Sequence, residues 1–356
     1  MVIKVIMLVV FFGIMIGVGF YARKQATDVN GFVLGGRSVG PWLTAFAYGT
    51  SYFSAVIFVG YAGQFGWKYG IASTWIGIGN AVLGSLIAWA VLGRRTRLIT
   101  QKLDSRTMPE FFERRYNSKS LKLVSSLIIF VFLIPYTASL YNGLSRLFGM
   151  AFEIDYKVCV IAMAALTGIY VIVGGYMATA INDFIQGIIM LFGIVVVIAA
   201  VLKNYGGLTG ALDKLANVSD PAVSSTPGVF ASFLGPDIFN LVCVVILTSL
   251  GTWGLPQMVQ KFYAIKDEKS IRTGTVVSTI FAVIVAGGCY FLGGFGRLTD
   301  TDVAAEGFDA IIPHLLECLP PILIGLVVIL VLSASMSTLS SLVLTSSSTL
   351  TIDFIK

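Results

Sequence analysis

Residues 332–351 read LSASMSTLSSLVLTSSSTLT. The stretch is long enough to cross a bilayer, yet it is full of hydroxyls. Ala334, Ser337, Thr338, Ser341, Thr345 and Ser348 fall at i, i+3, i+4, i+7, i+11 and i+14. That spacing puts them on one face of a helix. Leu332, Leu339, Val343, Leu344 and Leu350 cover much of the rest. Hydrocarbon offers a row of alcohols no partner, so the row needs one inside the protein. Each hydroxyl can bond its own helix or ease helix packing. Alternatively, some of the oxygens bind a hard cation such as sodium, because such ions take oxygen ligands.

The remaining composition agrees with a membrane setting. Of 356 residues, 56% are hydrophobic and only 12% are charged, against about 25% in soluble domains. The net charge of +6 therefore points to no nucleic-acid partner; the lipid bilayer is the partner that matters. Cys159, Cys243, Cys289 and Cys318 show no metal spacing and read as small core residues. One histidine, His314, supplies neither a metal cluster nor a triad, so no enzyme is expected. The apolar run at 5–20 lacks a small-x-small cleavage site and reads as a retained helix.

Hydropathy gives nine spans, at 3–22, 42–64, 71–93, 122–148, 157–175, 181–202, 238–260, 273–295 and 320–351. Alternating them gathers 17 of the 24 basic residues on one side, Lys261 and Lys356 among them. By the positive-inside rule that side is cytoplasmic and the amino terminus is outside. The acids Asp300, Asp302, Glu306, Asp309 and Glu317 fall opposite. The long loop 203–237 is external and is expected to pack over the mouth of the protein.

Two spans look interrupted. One carries AYGTSYFS at 47–54, with the break read at Gly49 and Ser51. The other carries GTWGLP at 251–256. Gly and Pro weaken helix interiors, and matched broken helices in two halves point to a transporter site. Asp183 is read at the start of the sixth span, as a helix cap, as an acid on an ion path, or both. Tyr136, after Pro135, is a packing residue or a substrate contact.

Four stretches then resemble the sodium/solute symporter family, which includes bacterial proline and pantothenate permeases. They are FVLGGRSVGPW at 32–42, GGYMATAINDFIQG at 174–187, Gly254-Leu-Pro256 with YAIKD at 263–267, and MSTLS at 336–340 through Asp353. The resemblance implies an all-α polytopic membrane protein of leucine-transporter-like, inverted-repeat fold with one extra N-terminal helix. The extra helix would be 3–22, the first repeat 42–202, and 238–356 a partial second repeat, because the chain stops before the last helices of the family pattern. A single transmembrane domain, 1–356, in the cell membrane would import a small organic solute with sodium. Sodium is the coupling ion, and no other cofactor is implied. The alternative is a non-transporting sensor module or an inactive truncated paralogue.

The resemblance also implies sites. Sodium would meet the carbonyls of Thr50, Phe53 and Ala334 and the hydroxyls of Ser337 and Thr338. A candidate second sodium falls at Ser54, Asp183, Ser340 and Ser341, where Ile57 replaces one further ligand. Substrate would meet Gly49, Tyr52, Tyr136, Thr248, Thr252, Trp253 and Pro256. Tyr52 stands where proline permeases carry an acid, and Thr248 and Thr252 stand at two of their aromatic positions. The solute class is therefore an amino acid, pantothenate or another small carboxylate.

Overall fold

The protein is described by a computed structural model covering residues 2–152 and 156–355. Lys356 and the side chain of Cys159 lie outside the described parts. Among the described residues no β-strand forms, only two isolated bridges. Among the described residues six helices are long and apolar enough to cross a membrane, or seven if Ile238–Gly254 and Pro256–Ala264 form one bent span.

Two of the six, Val56–Lys102 and Val160–Asn204, are too long for one crossing. Each turns at a glycine: Gly70 (φ 60°, ψ −142°) and Gly175 (φ 55°, ψ −147°). Divided there, the chain yields the nine segments that hydropathy marks. A side chain at Gly70 is excluded twice over. Its positive φ favours glycine, and a Cβ would stand 2.1 Å from the Phe230 carbonyl oxygen. Phe230 belongs to loop 203–237, which holds a helix of its own, Gly207–Ala216.

The first broken helix is Pro41–Tyr52, and its break falls later than the sequence reading put it. Gly49 and Ser51 are helical, and Gly49 is small because Phe281 lies against it. The chain leaves the helix at Phe53 (φ −103°, ψ 115°) and resumes as a π-helical turn at Val56–Tyr61. The second break is where expected. Gly251–Gly254 tightens to a 3₁₀ turn, Leu255 is extended, and Pro256 opens the next helix at a 54° bend. Proline suits that first helical position because its missing N–H is not needed there.

The hydroxyl helix, Pro321–Ser348, is the core of the molecule. Residues 327–342 are buried without exception. The helix packs on Tyr156–Asn204, Lys119–Phe152, Val2–Ala22 and Pro41–Tyr52. Elsewhere glycines let backbones touch. A Cβ on Gly66 would stand 1.9 Å from the Gly293 oxygen, where Ala62–Tyr69 crosses Glu268–Gly293.

The basic loops meet at one end. Arg37 donates to the Ser105 carbonyl at 2.7 Å, Arg97 to the Lys266 carbonyl at 3.2 Å, and Arg94 pairs with Glu268 at 2.7 Å. At the other end Arg297 pairs with Asp220 at 2.9 Å and lies over the rings of Trp67 and Phe230. Loop 203–237 is thus bound to the body there. Two sequence readings need correction. Cys289 is buried, but Cys243, on an outward-facing helix position, and Cys318, in the turn after Ile311–Glu317, are exposed. Lys261 is no loop residue: it lies inside Pro256–Ala264 and is 1% exposed.

Candidate functional site

A helix that stops leaves its last carbonyls without their i+4 donors. At the break after Tyr52 the Thr50 carbonyl is one of these. It is met from the hydroxyl helix. Ser337 Oγ donates to it at 3.1 Å and Thr338 Oγ1 at 3.4 Å. Both hydroxyls also reach the Ala334 carbonyl, each at 3.1 Å. Two carbonyls and two alcohols therefore converge in a fully buried spot. A hard cation with oxygen bonds near 2.4 Å at right angles sets ligand edges of about 3.4 Å. The observed oxygen separations are close to that. A hydroxyl is donor and acceptor at once, so each alcohol can turn a lone pair to an ion without moving its oxygen. Phe53 stands at the break itself, and these hydroxyls bond Thr50 rather than Phe53.

The rest of the hydroxyl row divides largely by face, although Ser348, on the stripe, donates to the Leu344 carbonyl of its own helix at 2.6 Å. Ser341 Oγ lies 3.0 Å from Ser51 Oγ and accepts from Lys261 Nζ at 3.0 Å. Thr345 donates to Gln260 Oε1 at 2.9 Å. Off that face, Ser335, Ser340 and Ser346 bond carbonyls of their own helix. Both readings of the row hold, each for different residues.

The four positions of the candidate second sodium have different hydrogen-bond partners, although Tyr170 adjoins both Ser340 and Asp183. Asp183 and Ser341 both face Lys261, with Asp183 Oδ2 at 3.7 Å from its Nζ. Ser340 turns to its own helix, and Ser54 lines a neighbouring cavity. Asp183 is not a cap. It lies eight residues beyond the Gly175 turn, inside a continuing helix, wholly buried.

That cavity, about 400 Å³, opens beside the break. Its size suits a small solute. Tyr52, Tyr136, Thr248 and Thr252 line it, together with Ser51, Asn80, Ser139 and Tyr290. None of its lining residues is acidic or basic. The other substrate expectations lie outside it. Gly49 faces Phe281, Trp253 donates to the Leu83 carbonyl at 3.0 Å, and Pro256 borders a narrow gap near Gln260 and Thr345. The structural reason is the late break: the cavity forms past Tyr52, not at Gly49.

Asn80 is the residue the sequence reading missed. It is buried, opens the π-helical stretch Asn80–Ile87, and its Oδ1 accepts from Thr248 at 2.9 Å and Ser249 at 3.0 Å. An amide amid an apolar run was the available signal. Tyr52 OH donates to the Thr248 carbonyl at 3.0 Å, which joins the two broken helices across the cavity. Among the described residues no three His, Cys, Asp or Glu side chains gather as a metal cluster.

Comparison with known proteins identifies the family and the fold. The model of the sodium:solute symporter family matches residues 32–356. Sodium/proline symporters of Staphylococcus aureus strains JH9 and NCTC 8325 / PS 47 are each 34% identical over 364 residues. The alignments cover 99% of this chain and 68% of theirs. A solved structure of a Na+-coupled sialic acid symporter, substrate-bound and outward-open, superposes with a TM-score of 0.78 at 18% identity. It covers 99% of this chain and 73% of that one, and shows a shared fold.

Proposed function

Because the chain belongs to the sodium:solute symporter family, we propose that its coupling sodium is held where Thr50 meets Ser337 and Thr338, and that its solute sits in the adjoining cavity. Family membership makes the protein a multi-pass membrane transporter, not an enzyme, with Na+ as its coupling ion and a small molecule as its cargo. The ion and solute positions are our reading. One observation carries it: two alcohols of one helix converge on a carbonyl released by the break in another.

Sodium at that point would join the Pro41–Tyr52 helix to the hydroxyl helix and complete one wall of the cavity. A ligand shifts an equilibrium only by binding one state better than the other. An ion shared by two helices does so, because rocking them apart removes ligands from it. In this reading sodium favours the outward-open state and solute binds next.

For the cargo we favour a small amino acid or a related carboxylate. The cavity lining has hydroxyls and one amide but no charged side chain. A carboxylate there would draw its countercharge from the sodium or from the half-helix ends. Residues 42–202 and 238–356 form the two repeats in this reading, with 3–22 outside them. The gathered basic loops face the cytoplasm of the cell membrane and leave the amino terminus outside.

The test is solute uptake into proteoliposomes against a panel of amino acids, pantothenate and short carboxylates. Ser337→Ala with Thr338→Ala should raise the sodium concentration for half-maximal uptake at least about tenfold, equal to roughly 1.4 kcal/mol. Unchanged sodium activation in that variant removes the ion from this position.

A further inference from the structure

The basic end of the molecule carries a groove that neither the sodium position nor the solute cavity uses. It holds about 710 Å³ and lies between segment 89–94 and the helix Glu268–Gly293. Trp89, Ala90, Ile271 and Val276 supply apolar walls, and Arg94, Glu268, Lys269 and Arg272 supply the charges. A Cβ on Gly274 would stand 2.6 Å from the Trp89 ring, so the ring packs directly on that helix. The one carboxylate of the lining, Glu268, is taken by Arg94 at 2.7 Å. Among the described residues no acid lies within ion-pair distance of Lys269 or Arg272. Nearby Asp267 accepts from the Ser270 N–H at 2.7 Å and caps its own helix. The groove therefore carries an excess of positive charge.

The order of residues along the helix says what kind of anion fits. Lys269, Arg272, Val276, Ile280 and Val283 follow at i, i+3, i+7, i+11 and i+14, on one face. All five are exposed. The face reads two cations and then three apolar side chains, starting from the end where the basic loops gather. From Arg272 to Val283 the helix rises about 16 Å, half of a hydrocarbon core roughly 30 Å thick. That is the depth of one leaflet. A water-soluble anion would meet the charges and leave the apolar run uncovered. An amphiphile with an anionic head covers both, and basic pockets between membrane helices suit such heads.

We propose that this groove binds one anionic phospholipid of the cytoplasmic leaflet. Its phosphate meets Lys269, Arg272 and Arg94, and an acyl chain lies along Val276, Ile280 and Val283. Arg94 spends its Nε–H on Glu268, which leaves its terminal nitrogens as donors. A zwitterionic lipid brings its own ammonium, which cancels the attraction. The bound lipid touches both walls and fastens the two helices at their cytoplasmic ends. The site needs neither the ion nor the solute position; only the leaflet follows from the orientation proposed above.

The test is native mass spectrometry of the purified full chain in neutral detergent, titrated with phosphatidylglycerol or phosphatidylcholine. The first phosphatidylglycerol should bind at least about tenfold tighter than phosphatidylcholine. Lys269→Glu with Arg272→Glu should bring the two lipids level. Arg115→Glu with Lys119→Glu makes the same charge change elsewhere and should keep the preference. Equal affinities in the wild type overturn the proposal. So does a preference that survives in the first double variant, or that disappears from both. Inorganic phosphate should displace the lipid no better than chloride of equal ionic strength; stronger displacement would make this a site for a free anion and overturn the lipid assignment. Should the charge reversals fail to fold, Lys269→Gln with Arg272→Gln must show the same loss, and the wild-type comparison stands without any variant.

Discussion

At the scale of single residues, hydroxyls and an amide act by their choice of partner. Ser337 and Thr338 look like Ser335 and Ser346 in the sequence, yet the first pair bonds across to Thr50 and the second bonds back along its own helix. Periodicity separated the two groups, because only one face of the helix meets the broken segment. Asn80 had no such pattern, since a lone amide has no period. Its role follows from Thr248 and Ser249 lying against it. Asn80→Ala removes the acceptor of the buried Ser249 hydroxyl and one of the acceptors of the half-buried Thr248 hydroxyl. Each lost buried hydrogen bond costs about 1–3 kcal/mol. Uptake should show a raised KM for solute with sodium activation little changed, and thermal unfolding in detergent should move several degrees lower. A sodium defect equal to the solute defect would place Asn80 at the ion instead.

At the scale of elements, breaks and turns determine where the chemistry lies. Gly and Pro marked both broken helices, but the first break lies at Phe53 and not at Gly49. Gly49 is small for packing against Phe281, and a glycine's reason for being small is not written in its neighbours along the chain. The same holds for Gly70, whose turn carries the chain back and whose α-hydrogen faces the Phe230 backbone. Gly70→Ala combines a positive φ with a clash against backbone, which cannot step aside. It should cost about 1–3 kcal/mol from strain alone. The check is the melting temperature in detergent against Gly40→Ala, where no atom lies within 4 Å of the added carbon. Equal melting of the two variants would mean that the Phe230 contact does not hold that turn.

At the scale of the whole molecule, charge is sorted to the two ends while a few charges stay inside. Arg37, Arg94 and Arg97 tie three loops together at the basic end, and Arg297 with Asp220 fastens loop 203–237 at the other. With the basic end cytoplasmic, a cysteine placed at Asn117 in a cysteine-free background should react with an impermeant thiol reagent only in inverted vesicles. One placed at Thr226 should react in intact cells. The reverse pattern would turn the protein over and place the amino terminus inside. The sequence by itself determined the membrane class, the nine apolar segments, the charge asymmetry and the hydroxyl face, because each follows from composition or from a helical period along one chain. The tertiary structure alone decided which carbonyl the hydroxyls meet, that Lys261 lies buried against Asp183, and that the cavity opens past Tyr52. Those are contacts between residues 78 or more positions apart. No local period encodes them, because they arise only when packed helices bring distant polar groups out of lipid and into one another's reach.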